Sequence, residues 1–291
     1  MNISVVVVTY SPGESLATFL STLEGASRHP VPVLLADNAS TDGIPQDTAT
    51  KYDNVSLVEM GRNLGYGAAA NRGVRATDTE LVLIANPDIV WSTGAIDTLV
   101  VAAARWPDAG ALGPLIRNTD GEVYPSARAL PSLGRGIGHA LCGWWWPSNP
   151  WTTAYRNERG APQEGPVGWL SGSCLLVRRA AFDAVGGFDP SYFMYFEDVD
   201  LGERLGRAGW QSVYIPSAEV THVGAHATAR EPRRMATEHH RSAWRWVQRH
   251  YSGPWWAPVR LVLRTGLAGR AALARRAPAV AAGARPNRRL P

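Results

Sequence analysis

The chain has 291 residues, of which 45% are hydrophobic and 19% are charged, a composition typical of globular proteins and not of disordered chains. It contains no run of 18 uninterrupted apolar residues, and the short apolar run Val5–Val8 has no basic region before it. Neither a membrane span nor a signal peptide is therefore predicted, and we expect a cytoplasmic protein. The two cysteines, Cys142 and Cys174, are too few for a disulfide framework or a zinc site and are predicted to be buried free thiols.

Charge is distributed unevenly along the chain. Residues 1–229 contain 15 basic and 23 acidic side chains, a net charge of −8, whereas residues 230–291 contain 14 arginines and two glutamates, a net charge of +12. An acidic body followed by a basic C-terminal region predicts an anionic surface as partner, either phospholipid or nucleic acid.

Strand and helix patterns alternate along the first 116 residues. Continuous apolar, β-branched runs predict strands at Ile3–Thr9, Val31–Ala36, Val55–Val58, Leu81–Ala85 and Ala111–Ile116. Helical spacing of apolar residues predicts helices at Glu14–Leu23, from Gly67 to about Arg75, and at Gly94–Ala104. This alternation predicts an α/β fold, with a mostly parallel, doubly wound sheet covered by helices on both faces.

The remainder of the chain divides into three parts. Residues 128–168 are rich in Pro, Gly and Trp and predict a long ordered loop or small subdomain beside the site. Strands at Ser173–Val177 and Gln211–Ile215 and helices at Ala180–Val185 and within Tyr192–Gly209 follow. From residue 230 onward the chain is predicted to be helical and basic, so we place a domain boundary at 229/230 and divide the first domain near residue 116.

Polar side chains follow four of the predicted strands. They are Thr9-Tyr10, Asp37-Asn38, Asn86-Pro87-Asp88 and His222. Each cluster alone is common turn chemistry. Because ligands of doubly wound sheets bind beyond the carboxyl ends of the strands, the four clusters together predict a binding site at that edge.

Several catalytic classes lack their motifs here. The first turn, Tyr10–Gly13, has no G-x-G-x-x-G, and the chain has neither a P-loop nor a G-x-S-x-G elbow. The loop Gly61–Gly67 remains as a candidate phosphate-binding element, since its glycines allow close backbone approach and Arg62 adds positive charge. The alternative is a glycine-rich helix N-cap.

Three carboxylates lie within four residues at Glu197, Asp198 and Asp200. Such a cluster is costly unless its members bind cations or tune one another's pKa. The alternative is an acidic helix N-terminus, whose negative charges interact favourably with the helix dipole.

Five motifs occur in the order seen in family 2 glycosyltransferases, and the resemblance covers residues 1 to about 230. The motifs are Val7-Val8-Thr9-Tyr10, Asp37 to Gly43, Asn63-Leu64-Gly65-Tyr66-Gly67, Asn86-Pro87-Asp88 and Phe196-Glu197-Asp198-Val199-Asp200. The resemblance implies the GT-A fold, a nucleotide-sugar donor and inversion at the anomeric centre.

Four further stretches resemble the actinobacterial cell-wall rhamnosyltransferases: Leu112–Ile116, Tyr124–Arg128, Asn149–Arg156 and Val167–Arg179. This resemblance implies transfer of L-rhamnose from dTDP-L-rhamnose to N-acetylglucosaminyl-diphospho-polyprenol. The product would be part of the linkage unit between peptidoglycan and arabinogalactan.

The resemblance also implies roles for single residues on the donor side. Thr9 and Tyr10 would line the nucleotide pocket, Asp37 would accept a hydrogen bond from the base, and Arg62 and Asn63 would lie near the diphosphate. Asn86 replaces one carboxylate of the family's frequent Asp-x-Asp motif and would contribute only its neutral carbonyl. Asp88 is then the expected ligand of Mg2+ or Mn2+. His222 resembles the family's late histidine that contacts the metal or the phosphate and is assigned to the metal site with Asp88, with His226 as a competitor.

On the acceptor side, Asp198 matches the family's general base. Glu197 and Asp200 are expected to orient the acceptor or to cap the helix, and Trp169 is placed beside them. A polyprenyl acceptor implies that the enzyme works at the inner face of the cell membrane. The basic C-terminal region contains four tryptophans, at positions 244, 246, 255 and 256, and is expected to bind an anionic membrane surface. In the alternative, these helices pack on the catalytic domain and the last arginines are a disordered end.

Two other classes of protein share some of these features but need motifs that the chain lacks. A sugar-1-phosphate nucleotidylyltransferase needs a glycine-rich, basic loop after its first strand, which Ser11-Pro12-Gly13 does not supply. A nucleic-acid-binding protein would account for the arginines, but no recognised binding motif accompanies them, so no nucleic-acid partner is expected.

Overall fold

The computed structural model describes residues 2–131, 162–224 and 232–276. The chain forms two compact units, Met1–Gly224 and Ala225–Pro291. Cys142, His226 and most of the Trp-rich segment lie outside the described residues, and Cys174 is a buried free thiol as predicted. The predicted boundary at 229/230 and the division near 116 stay predictions.

Strands and helices alternate through the first unit. The strands are β1 (Ile3–Thr9), β2 (Val33–Asp37), β3 (Val55–Glu59), β4 (Leu81–Ala85), β5 (Ile89–Trp91), β6 (Ala109–Arg117), β7 (Val123–Tyr124), β8 (Ala127–Arg128), β9 (Gly165–Val167), β10 (Trp169–Leu170), β11 (Cys174–Arg178) and β12 (Gln211–His222). The helices are α1 (Ser15–Ala26), α2 (Ile44–Lys51), α3 (Tyr66–Arg75), α4 (Ala95–Arg105), α5 (Arg179–Ala184) and α6 (Glu197–Arg207).

The main sheet has the strand order β3-β2-β1-β4-β11-β6-β12-β5. β11 and β5 run opposite to the other strands of this path. β7 and β9 add antiparallel edges to β6 and β12, while β8 and β10 form a separate two-stranded sheet. The predicted α/β fold with a mostly parallel sheet is confirmed, with antiparallel strands inserted in its second half.

Both faces of the sheet are covered, which explains the continuous apolar run of β1. Val5 and Val7 pack into a core with residues of α1 and α4. Val6 and Val8 point to the opposite face and pack with residues of α3, α5 and α6. Since successive side chains of a strand alternate between faces, a strand buried on both sides is apolar at every position.

Local patterns predicted some elements and missed others. β1 and β4 have the predicted bounds, whereas α2 and β5 were not predicted, and β12 extends seven residues beyond the predicted end at Ile215. Helix α2 buries only Pro45 among its residues, so it lacks the apolar periodicity by which a helix is detected in a sequence.

The second unit contains α7 (Pro232–His250), a 3-10 turn (Pro254–Trp256) and α8 (Ala257–Arg276). The guanidinium of Arg260 donates hydrogen bonds to the carbonyls of Tyr251 and Gly253, which closes the turn after α7. No helix in the described ranges is both long and apolar enough to cross a membrane. The predicted helical character of this region is confirmed.

Candidate active site

The polar residues predicted at the strand ends lie at one edge of the sheet. β1 is parallel to both of its neighbours, β2 and β4. β12 runs in the same direction, because it is parallel to β6, and β6 is separated from β4 by the single antiparallel strand β11. Thr9, Asp37, Asn86 and His222 stand at or directly after the carboxyl ends of these four strands. The edge is therefore a candidate active site of the kind that doubly wound sheets provide.

The carboxylate of Asp37 is the centre of one network at this edge. The hydroxyl of Thr9 donates to Asp37 Oδ1 at 2.8 Å, and the backbone N–H of Ser40 donates to Asp37 Oδ2 at 3.1 Å. The Ser40 hydroxyl donates to the same carboxylate. Asp37 is only 2% exposed and Thr9 is fully buried, so the Thr9 hydroxyl contacts Asp37 and not solvent.

Asn38 joins this network to the glycine-rich loop. Its Oδ1 accepts a hydrogen bond from the N–H of Leu64 at 2.7 Å, and its Nδ2 donates to the carbonyl of Gly65 at 3.2 Å. Gly65 has φ = 86°, and a Cβ at this position would lie 2.3 Å from the carbonyl oxygen of Phe193. Glycine is therefore required here both by the backbone angle and by the close approach of a second segment.

Two of the other predicted donor residues, Arg62 and Asn63, belong to this loop, and the third, Tyr10, directly follows β1. Arg62 is exposed, and Tyr10 is 36% exposed. Asn63 is half-buried, and its side-chain oxygen accepts the N–H of Gly65 at 3.0 Å. Arg62 and Tyr10 thus present side chains to solvent near the sheet edge, while Asn63 shapes the backbone of the loop.

Asn86, Asp88 and His222 form a second cluster. Nε2 of His222 lies 3.1 Å from Oδ1 of Asp88 and 3.2 Å from Nδ2 of Asn86. Asp88 is buried, and its Oδ1 has no hydrogen-bond partner among the described residues. A buried carboxylate oxygen without a hydrogen bond is costly, which marks this point as a place for a cation.

The pairing of β5 with β12 explains why His222 reaches Asp88. β5 begins directly after Asp88, and its first residue, Ile89, pairs with His222. The carbonyl of Asp88 accepts the N–H of Val223 at 3.0 Å. The sequence pattern predicted His222 beyond the last strand, whereas in the structure His222 is the last residue of β12.

The three acidic residues lie in the first turn of helix α6, as predicted by the interpretation of this cluster as an acidic helix N-terminus. Tyr195 and Phe196, which precede the helix, both adopt left-handed backbone angles with φ near 67°. Non-glycine residues reach this region at a cost of about 1 kcal/mol each, so the surrounding structure holds this entry to the helix in place.

The three carboxylates have different surroundings. Asp200 Oδ2 accepts a hydrogen bond from Nε of Arg204 at 2.6 Å, and Arg204 also donates to the carbonyls of Val185 and Gly187. Asp200 is thus part of an ion pair that joins α6 to the segment after α5. Asp200 was expected either to orient the acceptor or to cap the helix, and both of these roles stay predictions.

Asp198 is held by backbone groups. Its Oδ2 accepts the N–H of Gly172 at 3.1 Å, and its Oδ1 accepts the N–H of Val199 at 2.9 Å. The Tyr66 hydroxyl donates to the carbonyl of Gly172, so the backbone of this one residue links α3 to α6. Burial raises the pKa of Asp198, while these N–H groups and the positive charge of Arg128 oppose the increase.

Glu197 lies beside Asp198 in a more apolar setting. It is 7% exposed, and its Oε2 has no hydrogen-bond partner among the residues that the structure describes. Burial, followed by the negative charge of Asp198, raises the pKa of Glu197 to about 8. Glu197 is therefore protonated at neutral pH.

Trp169 lies in the small sheet formed by β8 and β10, where it pairs with Arg128. This sheet packs on α6, because a Cβ added at Gly202 would lie 2.7 Å from Cβ of Trp169. Trp169 is thus close to the helix that carries Asp198, and its acceptor-side role stays a prediction.

Four residues of this site were not assigned a role from the sequence: Asn38, Tyr66, Gly172 and Arg128. Asn38 and Tyr66 lie within motifs that were recognised, so their hydrogen-bonding side chains were available as a signal. Gly172 acts through its backbone, and a backbone contact of 26 residues' separation leaves no local pattern.

The family model described as glycosyltransferase like family 2 matches residues 1–248. The chain belongs to this family. The N-acetylglucosaminyl-diphospho-decaprenol L-rhamnosyltransferase of Mycobacterium tuberculosis is 58% identical over 280 residues, covering 92% of this chain and 91% of the relative. The rhamnosyltransferase WbbL of Escherichia coli K12 is 26% identical over 235 residues, covering 76% of this chain and 83% of the relative.

Solved structures show the same fold for this family 2 glycosyltransferase. The mannosyltransferase PcManGT from Pyrobaculum calidifontis, solved with GDP-Man and Mn2+, aligns with a TM-score of 0.56 at 19% identity. The alignment covers 94% of this chain and 78% of the mannosyltransferase. The GT-A fold expected from the sequence is therefore confirmed.

The raised pKa of Glu197 predicts a pH-dependent stability of this glycosyltransferase. In the unfolded chain Glu197 loses its proton near its ordinary pKa of 4.5, whereas in the folded protein it does so near 8. The unfolded state therefore binds fewer protons between these values, and the free energy of unfolding falls as pH rises through this window. Glu197→Gln should remove this contribution, so that from pH 5 to 8.5 the variant loses less stability than the parent by at least about 1.4 kcal/mol, the equivalent of one pKa unit.

Urea unfolding at several pH values measures this difference. Glu24→Gln is the matched control, because Glu24 is exposed and its substitution should leave the pH dependence unchanged. Parallel stability curves for the parent and Glu197→Gln would contradict the buried, protonated state of Glu197.

Proposed function

We propose that this glycosyltransferase transfers L-rhamnose from dTDP-L-rhamnose to N-acetylglucosaminyl-diphospho-polyprenol, with inversion at the anomeric carbon. The observation that carries the proposal is the 58% identity, over nearly the whole of both chains, to the decaprenol-linked rhamnosyltransferase of M. tuberculosis. The product would be the disaccharide of the linkage unit between peptidoglycan and arabinogalactan.

The donor nucleotide is proposed to bind at the ends of β1 and β2. Asp37 accepts the imide N–H of the base, and Thr9 and Ser40 hold its carboxylate in the orientation for this contact. Tyr10 contributes its exposed ring at the same edge. The arrangement supports this assignment because a buried carboxylate held by three donors keeps one fixed direction for a further hydrogen bond.

The diphosphate of the donor is proposed to lie between the glycine-rich loop and the Asp88 cluster. Arg62 supplies a positive charge, and Asn63 fixes the backbone of the loop through its contact with Gly65. Asn86 belongs to the Asp88 cluster, where its Nδ2 lies 3.2 Å from Nε2 of His222.

Asp88 and His222 are proposed to hold Mg2+ or Mn2+. Adjacent ligands of an octahedral ion at about 2.1 Å lie about 3 Å apart, and Oδ1 of Asp88 lies 3.1 Å from Nε2 of His222. No group of three His, Cys, Asp or Glu side chains within the described ranges could hold a metal ion, so the described residues offer Asp88 and His222 together with Asn86. This fits a cation that takes its remaining ligands from substrate phosphates and water.

A bound divalent cation supplies positive charge that stabilises the departing nucleoside diphosphate. Asp198 is the proposed general base. It removes the proton of the acceptor hydroxyl while the oxygen attacks the anomeric carbon from the face opposite the leaving group. Its raised pKa makes it a stronger base than an ordinary aspartate, and the N–H groups of Gly172 and Val199 keep its oxygens in position.

The function is tested by incubating the purified protein with a panel of nucleotide sugars and GlcNAc-diphospho-lipid and identifying the product by mass spectrometry. We expect a gain of one deoxyhexose from dTDP-L-rhamnose and little transfer from UDP- or GDP-sugars. Preferred transfer of another sugar would leave the family assignment in place and overturn the rhamnosyl specificity.

Asp198→Asn should lower kcat by at least about 100-fold with little change in the affinity for the donor, since the lost contribution is proton transfer. Steady-state kinetics and donor binding by calorimetry measure the two effects. Thermal unfolding serves as the control for an intact fold, since the substitution is nearly isosteric. A variant that retains more than a tenth of the parental rate would require another base.

Asp88→Ala should reduce donor binding and turnover together, because the charge at this position acts on the diphosphate in both the bound and the transition state. EDTA should abolish transfer, and added Mn2+ or Mg2+ should restore it in the parent but not in the variant. Full activity after thorough chelation would overturn the role of Asp88 as a metal ligand.

The second unit is proposed to attach the enzyme to the inner face of the membrane, where a polyprenyl acceptor resides. Trp255 is 91% exposed, and Leu261 and Val262, one to two turns later, are 63% and 69% exposed. These exposed apolar side chains belong to a region that carries a net charge of +12 over residues 230–291. Aromatic residues favour the headgroup region, and each basic residue near an anionic surface adds on the order of 1 kcal/mol.

This attachment predicts salt-sensitive binding to anionic vesicles. The variant Trp255→Ser/Leu261→Ser/Val262→Ser and a chain ending at Gly253 should both co-sediment less than the parent with phosphatidylglycerol vesicles. Val101→Ser is the matched control, because Val101 is an apolar residue of the first unit that is 56% exposed. Equal binding by the parent and both altered proteins, or equal binding to neutral vesicles, would contradict the attachment.

A further inference from the structure

We propose that Arg128 forms a diphosphate-binding subsite on the acceptor side of this glycosyltransferase, where its guanidinium binds the diphosphate that joins the acceptor sugar to its lipid. The inference rests on the proposed function, because it takes the acceptor to be a diphosphate-linked sugar. It adds a residue and a contact that the donor, metal and base assignments do not include.

The guanidinium of Arg128 is fixed from three directions. Its central carbon lies 5.5 Å from the ring centroid of Trp169 and 5.7 Å from that of Tyr124. Its Nε donates a hydrogen bond to the carbonyl of Pro125 at 2.7 Å. Two aromatic rings and one backbone contact thus hold the planar group in a defined orientation, which lowers the entropy that binding would cost.

The terminal nitrogens of this guanidinium remain available. Nη1 and Nη2 of Arg128 make no hydrogen bond within the described part of the chain, and no described carboxylate forms an ion pair with it. By contrast, Arg105, Arg117 and Arg204 each pair with a glutamate or aspartate. A half-buried, oriented cation whose terminal N–H groups have no partner among the described residues matches the oxygens of a phosphate group.

Arg128 also lies near the proposed base. Its backbone pairs with Trp169 in the β8–β10 sheet, and that sheet packs against α6. The chain continues from β10 to Gly172, whose N–H binds Asp198 at 3.1 Å. The positive charge of Arg128 is close enough to lower the pKa of Asp198.

This proximity is what an acceptor diphosphate requires. The attacking hydroxyl and the diphosphate are carried by the same sugar ring, so a group that binds the diphosphate must lie within one sugar of the base. The proposed donor diphosphate site lies elsewhere, at Arg62, Asp88 and His222. Because a diphosphate could come from either substrate, the experiment has to separate the two sources.

The test compares two acceptors with the same sugar. One is a GlcNAc-diphospho-lipid and the other is a GlcNAc glycoside with a neutral alkyl chain. Arg128→Gln should raise KM and lower kcat/KM for the diphosphate acceptor by about 10- to 100-fold, as expected for the loss of charged hydrogen bonds. Transfer to the neutral glycoside should fall by a clearly smaller factor, since it loses only the effect of this charge on Asp198 and no phosphate contact, and KM for the donor should change by less than about threefold. Arg128→Lys should fall between the parent and Arg128→Gln.

Arg105→Gln is the matched control, because Arg105 is exposed and pairs with Glu164. Equal losses with both acceptors would overturn the proposal in favour of a structural role, and a raised KM for the donor would assign Arg128 to the donor diphosphate.

Calorimetric binding of the GlcNAc-diphospho-lipid to the parent and to Arg128→Gln gives a readout that does not depend on the donor sugar. If the parent binds this lipid more tightly than the variant but transfers no rhamnose, the proposed function fails and the subsite stands. Equal binding overturns the subsite.

Discussion

Antiparallel pairing between β5 and the last residues of β12 holds the candidate metal site together. The register sets His222 opposite Ile89, which brings the imidazole to the carboxylate of Asp88. β12 reaches this point only because residues 216–218 bulge out of its ladder with β6, after which pairing resumes at Glu219. The bulge is thus a functional feature, since it allows one strand to serve both the core and the site.

A second constraint links the two sides of the site through the backbone of a single residue, Gly172. The N–H of Gly172 binds Asp198, and its carbonyl accepts the hydroxyl of Tyr66. Tyr66 begins α3 directly after the glycine-rich loop, and its own N–H binds the carbonyl of Phe193. The loop proposed for the donor phosphates and the helix that carries the proposed base are therefore positioned by the same contacts, so a shift of one would move the other.

These two constraints explain what the sequence could and could not predict. The strands β1 and β4 and the polar residues after them follow from local apolar runs, which is why Thr9 and Asn86 were placed at one edge. β5 has three residues and β12 continues through Pro216, so neither has a local pattern that predicts its pairing. The contact of Asp88 with His222 depends on that pairing. Only the family resemblance predicted that Asp88 and His222 belong to one site. The pattern of strands and polar residues by itself indicated no more than a single histidine after the last strand.

The first turn of α6 separates three neighbouring carboxyl groups by their surroundings. Asp200 is occupied by Arg204 and serves the fold. Glu197 has an oxygen without a partner in the described structure and stays protonated at neutral pH, whereas Asp198 receives two backbone N–H groups and the charge of Arg128. Burial raises both pKa values, and the N–H groups of Gly172 and Val199 and the charge of Arg128 oppose the increase at Asp198. Because burying two adjacent negative charges would cost more than burying one, a neutral Glu197 is the condition under which Asp198 can remain ionised and act as a base.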